Sequence, residues 1–210
     1  MHVETIPCGP LEVNCYIVWQ EGSKTAVAID PADDAPVLSF LTEKRLTLSH
    51  ILLTNGHVDH ILGIHALKNE TNASICIHKA DAEMLESEEA CLATALYLHI
   101  QPTKADQLLE GGETIQAAGL SFQVLHTPGH TPGGVCFVAE DVIFTGDTLF
   151  RLSVGRSDFP GSNESDLMHS IIDKLFALPG DYTLYPGHMR PSTLDFERER
   201  NPFARMGLSW

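Results

Sequence analysis

One α/β domain built in layers is what this sequence predicts, and three observations carry the expectation. Short apolar, β-branched runs recur along the chain, segments with apolar residues every three to four positions lie between them, and no repeat, low-complexity tract or linker breaks the alternation. With 210 residues, 43% hydrophobic and 20% charged, the chain can bury one substantial core and is short for two. The expected unit is therefore a single domain over residues 1–210.

In chain order, strands are expected at 14–19, 24–29, 50–54, 73–77, 120–125, 135–138, 141–145 and 182–185, where apolar and β-branched residues cluster. Several of these runs lack a polar alternation, which is the pattern of a strand covered on both faces. Helices are expected at 33–45, 61–70, 79–86, 91–100 and 165–178, with a short closing helix at 192–200. Segment 86–109 departs from the rhythm of strand and helix and is expected to be an inserted helical lid.

Composition narrows the partners. The formal net charge is −15 and no Lys/Arg stripe is present, so a phosphate backbone is repelled and nucleic acid is excluded as a substrate. Cys8, Cys15, Cys76, Cys91 and Cys136 are scattered without a C-x-x-C pair, which fits a reducing cytosol. The first ten residues carry Glu4 and no basic start followed by an apolar run, and no segment approaches the roughly 20 apolar residues that cross a bilayer. A soluble cytoplasmic protein that does not act at membranes is expected, its oligomeric state open.

The chemistry gathers at strand ends. Thr54-Asn55-Gly56-His57-Val58-Asp59-His60 follows an expected strand and precedes an expected helix, placing several potential metal ligands on one loop. His130, Asp147 and His188 each follow a later strand, and each is preceded by glycine: Gly129, Gly146 and Gly187. Open α/β sheets bind ligands beyond the carboxyl ends of their strands, so residues far apart in sequence converge there. Singly, a histidine after a strand is an ordinary hydrogen-bonded residue and an aspartate beside glycine an ordinary turn former. Four strand ends carrying the same pairing point instead to a metal site.

The loop 54–60, together with Thr127-Pro128-Gly129-His130-Thr131-Pro132-Gly133, Phe144-Thr145-Gly146-Asp147-Thr148-Leu149-Phe150 and Tyr185-Pro186-Gly187-His188, resembles the successive motifs of the metallo-β-lactamase superfamily. Gly9-Pro10-Leu11-Glu12-Val13-Asn14-Cys15-Tyr16, Ile29-Asp30-Pro31, Ser153-Val154-Gly155-Arg156-Ser157-Asp158-Phe159-Pro160-Gly161 and Glu199-Arg200-Asn201-Pro202-Phe203 are similar to its glyoxalase II-like branch. The resemblance implies an αββα sandwich of two mixed sheets flanked by helices. It implies a first metal held by Asn55, His57 and His130, a second by Asp59, His60 and His188, and Asp147 bridging them, with Asp59 and Asp147 serving the chemistry as well. The implied cofactor is Zn2+, one or two ions, with iron or manganese as alternatives. Asn55 departs from the family's histidine, and a neutral amide oxygen is a weaker donor than imidazole, so an asymmetric centre with a weaker first site is expected. The implied activity is hydrolysis of a small acyl compound, sharpest as a glyoxalase II-like thioesterase using a metal-activated water. A persulfide dioxygenase-like iron oxidoreductase and a metal-binding protein with degraded catalysis stay open beside it.

Other candidates have structural explanations. His126 and His78 are expected to support the fold or orient a ligand, and His2, His50, His65, His99 and His169 have no ligand-like partners. Arg151, Arg156 and Asp158 lie in a glycine-rich loop that an Arg–carboxylate fork would hold in shape. Cys136 is expected to be inert core.

Overall fold

In the computed structural model, which describes residues 1–203, the first sheet comprises His2–Cys8 (β1), Val13–Trp19 (β2), Thr25–Ile29 (β3), Thr47–Leu52 (β4), Ser74–His78 (β5) and Gln107–Leu109 (β6), side by side in sequence order. The pairings β1–β2–β3 are antiparallel and those from β3 to β6 parallel. Helices Asp34–Lys44 (α1), Val58–Ile61 (α2) and Ile64–Thr71 (α3) connect the parallel strands. The second sheet contains Thr114–Ala117 (β7), Leu120–His126 (β8), Val135–Ala139 (β9) and Val142–Gly146 (β10). A small hairpin, Leu149–Phe150 (β11) and Ser153–Val154 (β12), and helix Glu164–His169 (α4) follow, α4 running on as a π-helical turn at Ser170–Leu175. Thr183–Pro186 (β13) and Ser192–Thr193 (β14) complete the sheet in the order β14-β13-β10-β9-β8-β7, and Leu194–Arg200 (α5) closes the described chain.

The strand runs without polar alternation have a direct cause. Along β2, Cys15 and Ile17 enter the core beneath the helices of the first sheet, while Tyr16 and Val18 enter the core shared by the two sheets. In that central core Val27, Ile29 and Leu52 meet Phe122, Phe137 and Phe144, and on the far face of the second sheet Val138, Ile143 and Leu184 pack against Leu167, Ile171 and Leu175. Three apolar seams separate four layers, which is the expected αββα sandwich of two mixed sheets. Helix starts are capped locally: Asp33 accepts from the Ala35 amide, Asn163 from Asp166 and Thr193 from Phe196, each worth about 1 kcal/mol.

Several expectations need correction. Segment 86–109 is not helical: it holds one 3-10 turn, Thr94–Leu96, and ends in the edge strand β6. Leu92 and Tyr97 adopt left-handed backbone, with φ of 67° and 55°, and each such residue breaks an α-helix. The expected helix at 79–86 is 3-10, at Lys79–Leu85. The pattern at 61–70 divides into α2 and α3 at Gly63, whose amide donates to Pro31 O across a close backbone contact. Strands β1, β6, β7, β11, β12 and β14 were not expected. β1 is a half-exposed edge strand carrying Pro7, and the others have four residues or fewer, too few for a periodic signal. No described helix is long and apolar enough to cross a membrane.

Candidate metal centre

Six of the seven proposed ligands converge at the edge where the carboxyl ends of β4, β8, β10 and β13 meet. The chain leaves β4 at Leu52 and passes through Asn55 and His57 into α2, whose first turn carries Asp59 and His60. His130 follows β8, Asp147 directly follows β10, and His188 lies two residues beyond β13. The Asp147 carboxylate is central: it lies 3.5 Å from His60 Nε2, 3.4 Å from His130 Nε2 and 3.7 Å from His188 Nε2. On one side, His57 Nδ1 stands 2.9 Å from His130 Nε2. On the other, His188 Nε2 is 3.2 Å from Asp59 Oδ2, and ligand atoms of Asp59, His60 and His188 all fall within 4.8 Å of one another. Gly187 is required here, because a Cβ at that position would collide with Asp147 Oδ1 and His60 Cε1.

Charge at the centre is strongly organised. Burial opposes ionisation of Asp147, yet the His60 imidazole beside it, helped by His130 and His188, holds the carboxyl well below the usual carboxylate range. Burial likewise works against a charged His60, but the carboxylates of Asp147, Asp30 and Asp59 outweigh it and raise that imidazole. His57 goes the other way: burial, reinforced by His130 and His60, pushes it down to about 4. A neutral imidazole is the form that binds a cation.

The donor set fits a divalent metal. His57 Nε2, His60 Nε2 and Asp147 Oδ1 are buried without a hydrogen-bond partner, an arrangement that is expensive unless another species satisfies some of these atoms. Imidazole nitrogens and carboxylate oxygens at such spacing suit zinc or iron. The ligands are also oriented from behind. His130 Nδ1 donates to Arg156 O at 2.8 Å, which turns its Nε2 inward, and His60 Nδ1 lies 3.0 Å from Asp30 Oδ2. Such partners fix ring orientation and raise ligand basicity.

Asn55 sits in the expected loop and is buried, but its carboxamide is engaged locally. Its Oδ1 accepts the His57 amide at 2.9 Å, and its Nδ2 lies 3.4 Å from Thr54 Oγ1. One oxygen lone pair remains for a metal. Asn55→His is therefore expected to tighten zinc binding on the His57–His130 side by at least about tenfold and bring occupancy nearer two ions, because imidazole is the stronger donor. Calorimetric zinc titration reads this directly. A variant with neither a new nor a tighter site places Asn55 outside the centre.

Sequence reasoning missed the residues that hold the ligand loops. Asp30 accepts from the Thr54 amide at 2.8 Å and from its hydroxyl at 2.6 Å as well as facing His60. Asp81, fully buried, accepts from the Gly56 amide at 3.2 Å, the Thr131 hydroxyl at 2.7 Å and the Gly133 amide at 2.6 Å, tying the loop of His57 to that of His130. Asn14 Nδ2 donates to Pro186 O and Met189 O on either side of His188. Glu197, also fully buried, accepts from the Leu152 amide, Ser192 and Asn201. Only Asp30 and Asn14 lay inside recognisable motifs, and neither had a signal that assigned its role.

The remaining expectations are settled by position. His126 and His78 stack on each other at 4.1 Å, His126 Nε2 donating to Pro132 O and His78 accepting the Ala80 amide, so they brace neighbouring loops rather than face the ligands. His65 pairs with Thr103, His99 with Glu88, and His169 bonds within α4. Arg156 forms the expected fork with Asp158, at 2.9 and 2.8 Å, and lies over Phe159, whose ring packs edge-on against His57. Cys136 is buried core, its thiol pushed up to about 11 by desolvation.

A profile described as the metallo-β-lactamase superfamily matches residues 8–188. Hydroxyacylglutathione hydrolase GloC of Haemophilus influenzae is 34% identical over 97% of this chain and 98% of its own. Among solved structures, the BLEG-1 B3 metallo-β-lactamase superposes with a TM-score of 0.92 at 32% identity, covering 97% of this chain and 99% of that one. TTHA1623 in a di-iron-bound form gives 0.84 at 37% identity, covering 96% and 100%.

Proposed function

The chain belongs to the metallo-β-lactamase superfamily, and from that premise we propose that it is a metal-dependent hydrolase acting on a small thioester, in the manner of the glyoxalase II-like branch. The observation that carries the reading is the Asp147 carboxylate, buried at the meeting point of His57 and His130 on one side and Asp59, His60 and His188 on the other. His57 and His130, with Asn55 as a weaker donor, would hold one ion, Asp59, His60 and His188 a second, and Asp147 would serve both. A bound divalent metal supplies an acidified water and a Lewis acid for the carbonyl.

The protein's own groups do the rest. Asp59 stays ionised at neutral pH because His60 and a bond to His188 outweigh its burial. As a carboxylate it would accept a proton from a water acidified by the metal and return it to the departing thiolate. Asp30 and the Arg156 carbonyl keep His60 and His130 in register. Access comes from the His188 side, since that side chain is 27% exposed while those of His60, Asp147 and Asp59 are between 0 and 11%.

Purified protein of measured metal content is expected to hydrolyse members of a thioester panel with saturable rates proportional to bound metal. Absence of thioester cleavage by metal-replete protein overturns the reading. Oxygen uptake with glutathione persulfide would then favour the persulfide dioxygenase-like alternative.

A further inference from the structure

Three of the large apolar side chains that the described chain exposes are carried by the loops around His188. Leu11 is 46% exposed, Leu152 42% and Met189 58%. Met189 immediately follows His188. Leu11 lies in the β1–β2 turn, three residues before Asn14, whose amide donates to Gly187 O and whose side chain donates to Met189 O. Leu152 forms the tip of the β11–β12 hairpin, and Phe150 of that hairpin stands edge-on to the His188 ring at 6.2 Å. All three loops therefore border the side from which the centre is reached.

The backbone shows that two of these side chains are held there against local preference. Met189 has φ of 70° and Leu152 φ of 56°, the left-handed region in which a branched or long side chain is disfavoured and glycine is not. Each strained residue is gripped by a buried polar side chain: Asn14 Nδ2 binds the Met189 carbonyl, and Glu197 accepts the Leu152 amide. Strain persists only where its surroundings over-determine it, and it gathers at functional positions. Glycine would adopt both backbones without that strain, yet both positions carry large apolar side chains.

We propose that Leu11, Leu152 and Met189 form an apolar rim that selects the acyl part of the substrate, and that the preferred substrate carries a hydrocarbon chain beside the cleaved carbonyl. The proposal rests on the hydrolase reading for its reaction and on the loops alone for its selectivity. A fully buried methylene is worth about a fourfold gain in binding, and a rim half open to water gives about twofold per methylene.

The test uses metal-replete protein, N-acetylcysteamine thioesters from acetyl to hexanoyl, and the matching S-ethyl and S-hexyl thioethers, which cannot be hydrolysed. For the wild type, kcat/KM should rise about 16-fold from acetyl to hexanoyl, and the hexyl thioether should bind tighter than the ethyl by a similar factor. In Met189→Gly and Leu152→Gly, which the backbone accepts, both ratios should fall to about fourfold or less at equal metal content. Thioester turnover without a chain-length slope, or a slope unchanged in the variants, overturns the rim while leaving the hydrolase reading intact. If no thioester is cleaved, the hydrolase reading fails and the thioether pair decides the rim: equal affinities overturn it, and a preference lost in the variants supports it. A concentration-dependent dimer dissolved by Met189→Gly, with the chain-length ratios unchanged, assigns the face to a second copy and overturns the proposal.

Discussion

Exchanging Asp147 for asparagine is expected to remove most of the bound metal and to lower any hydrolytic rate by at least about a thousandfold. One carboxylate lies between 3.4 and 3.7 Å from the Nε2 atoms of His60, His130 and His188, and among the described residues it is the negative group shared by both sides of the centre. The amide keeps the shape, removes the charge, and turns an NH2 toward one of the two sides. A metal's stabilisation of developing charge is worth several kcal/mol, and every 1.36 kcal/mol is about a factor of ten. Elemental analysis after dialysis and kcat/KM on the best thioester measure the two losses. Retained metal with a rate within tenfold of wild type would remove Asp147 from the centre.

Asp81→Ala should be the most damaging substitution away from the ligands, destabilising the fold by about 4 kcal/mol. The side chain is fully buried, burial pushes its carboxyl above the usual range despite its donors, and truncation leaves the Gly56 and Gly133 amides and the Thr131 hydroxyl without their acceptor. A buried donor left unsatisfied costs about 1–3 kcal/mol, partly relieved where water enters. For a chain of this length that corresponds to roughly 8–16 °C in Tm. Because the bonds join the loop of His57 to the loop of His130, metal affinity should fall together with stability. Asp81→Asn keeps one oxygen and the volume, so it should lose less of both. Thermal melts of the metal-free proteins followed by zinc titration separate the effects. An alanine variant that melts within 2 °C of wild type and binds zinc equally well would show that the two loops do not depend on Asp81.

The positions of the candidate ligands stood out in the sequence because they obey a strong local grammar: His or Asp beside glycine, just past an apolar strand. His57, Asp59, His60, His130, Asp147 and His188 meet as that grammar implies. The eight expected strands exist for a related reason, since a strand buried on both faces is a continuous apolar run, as β2 shows. Segment 86–109 was misread because helical spacing says nothing about backbone handedness, and Leu92 and Tyr97 turn left where a helix needs right. Asp81 and Glu197 were invisible for another reason. A buried carboxylate that accepts backbone amides looks, in sequence, like any surface acid, and its partners lie between 4 and 52 residues away.

The order of the strands also governs when the centre can come into being. All strands of the first sheet precede residue 110 and all strands of the second follow residue 113, so each sheet is made from one contiguous half of the chain. The candidate ligands respect no such division: His57, Asp59 and His60 belong to the first half, His130, Asp147 and His188 to the second. During synthesis the first half can pair its strands as it emerges, but it carries only part of a coordination set. The full constellation exists only once His188 has been made, so an ion held by all of these side chains would need both sheets in place.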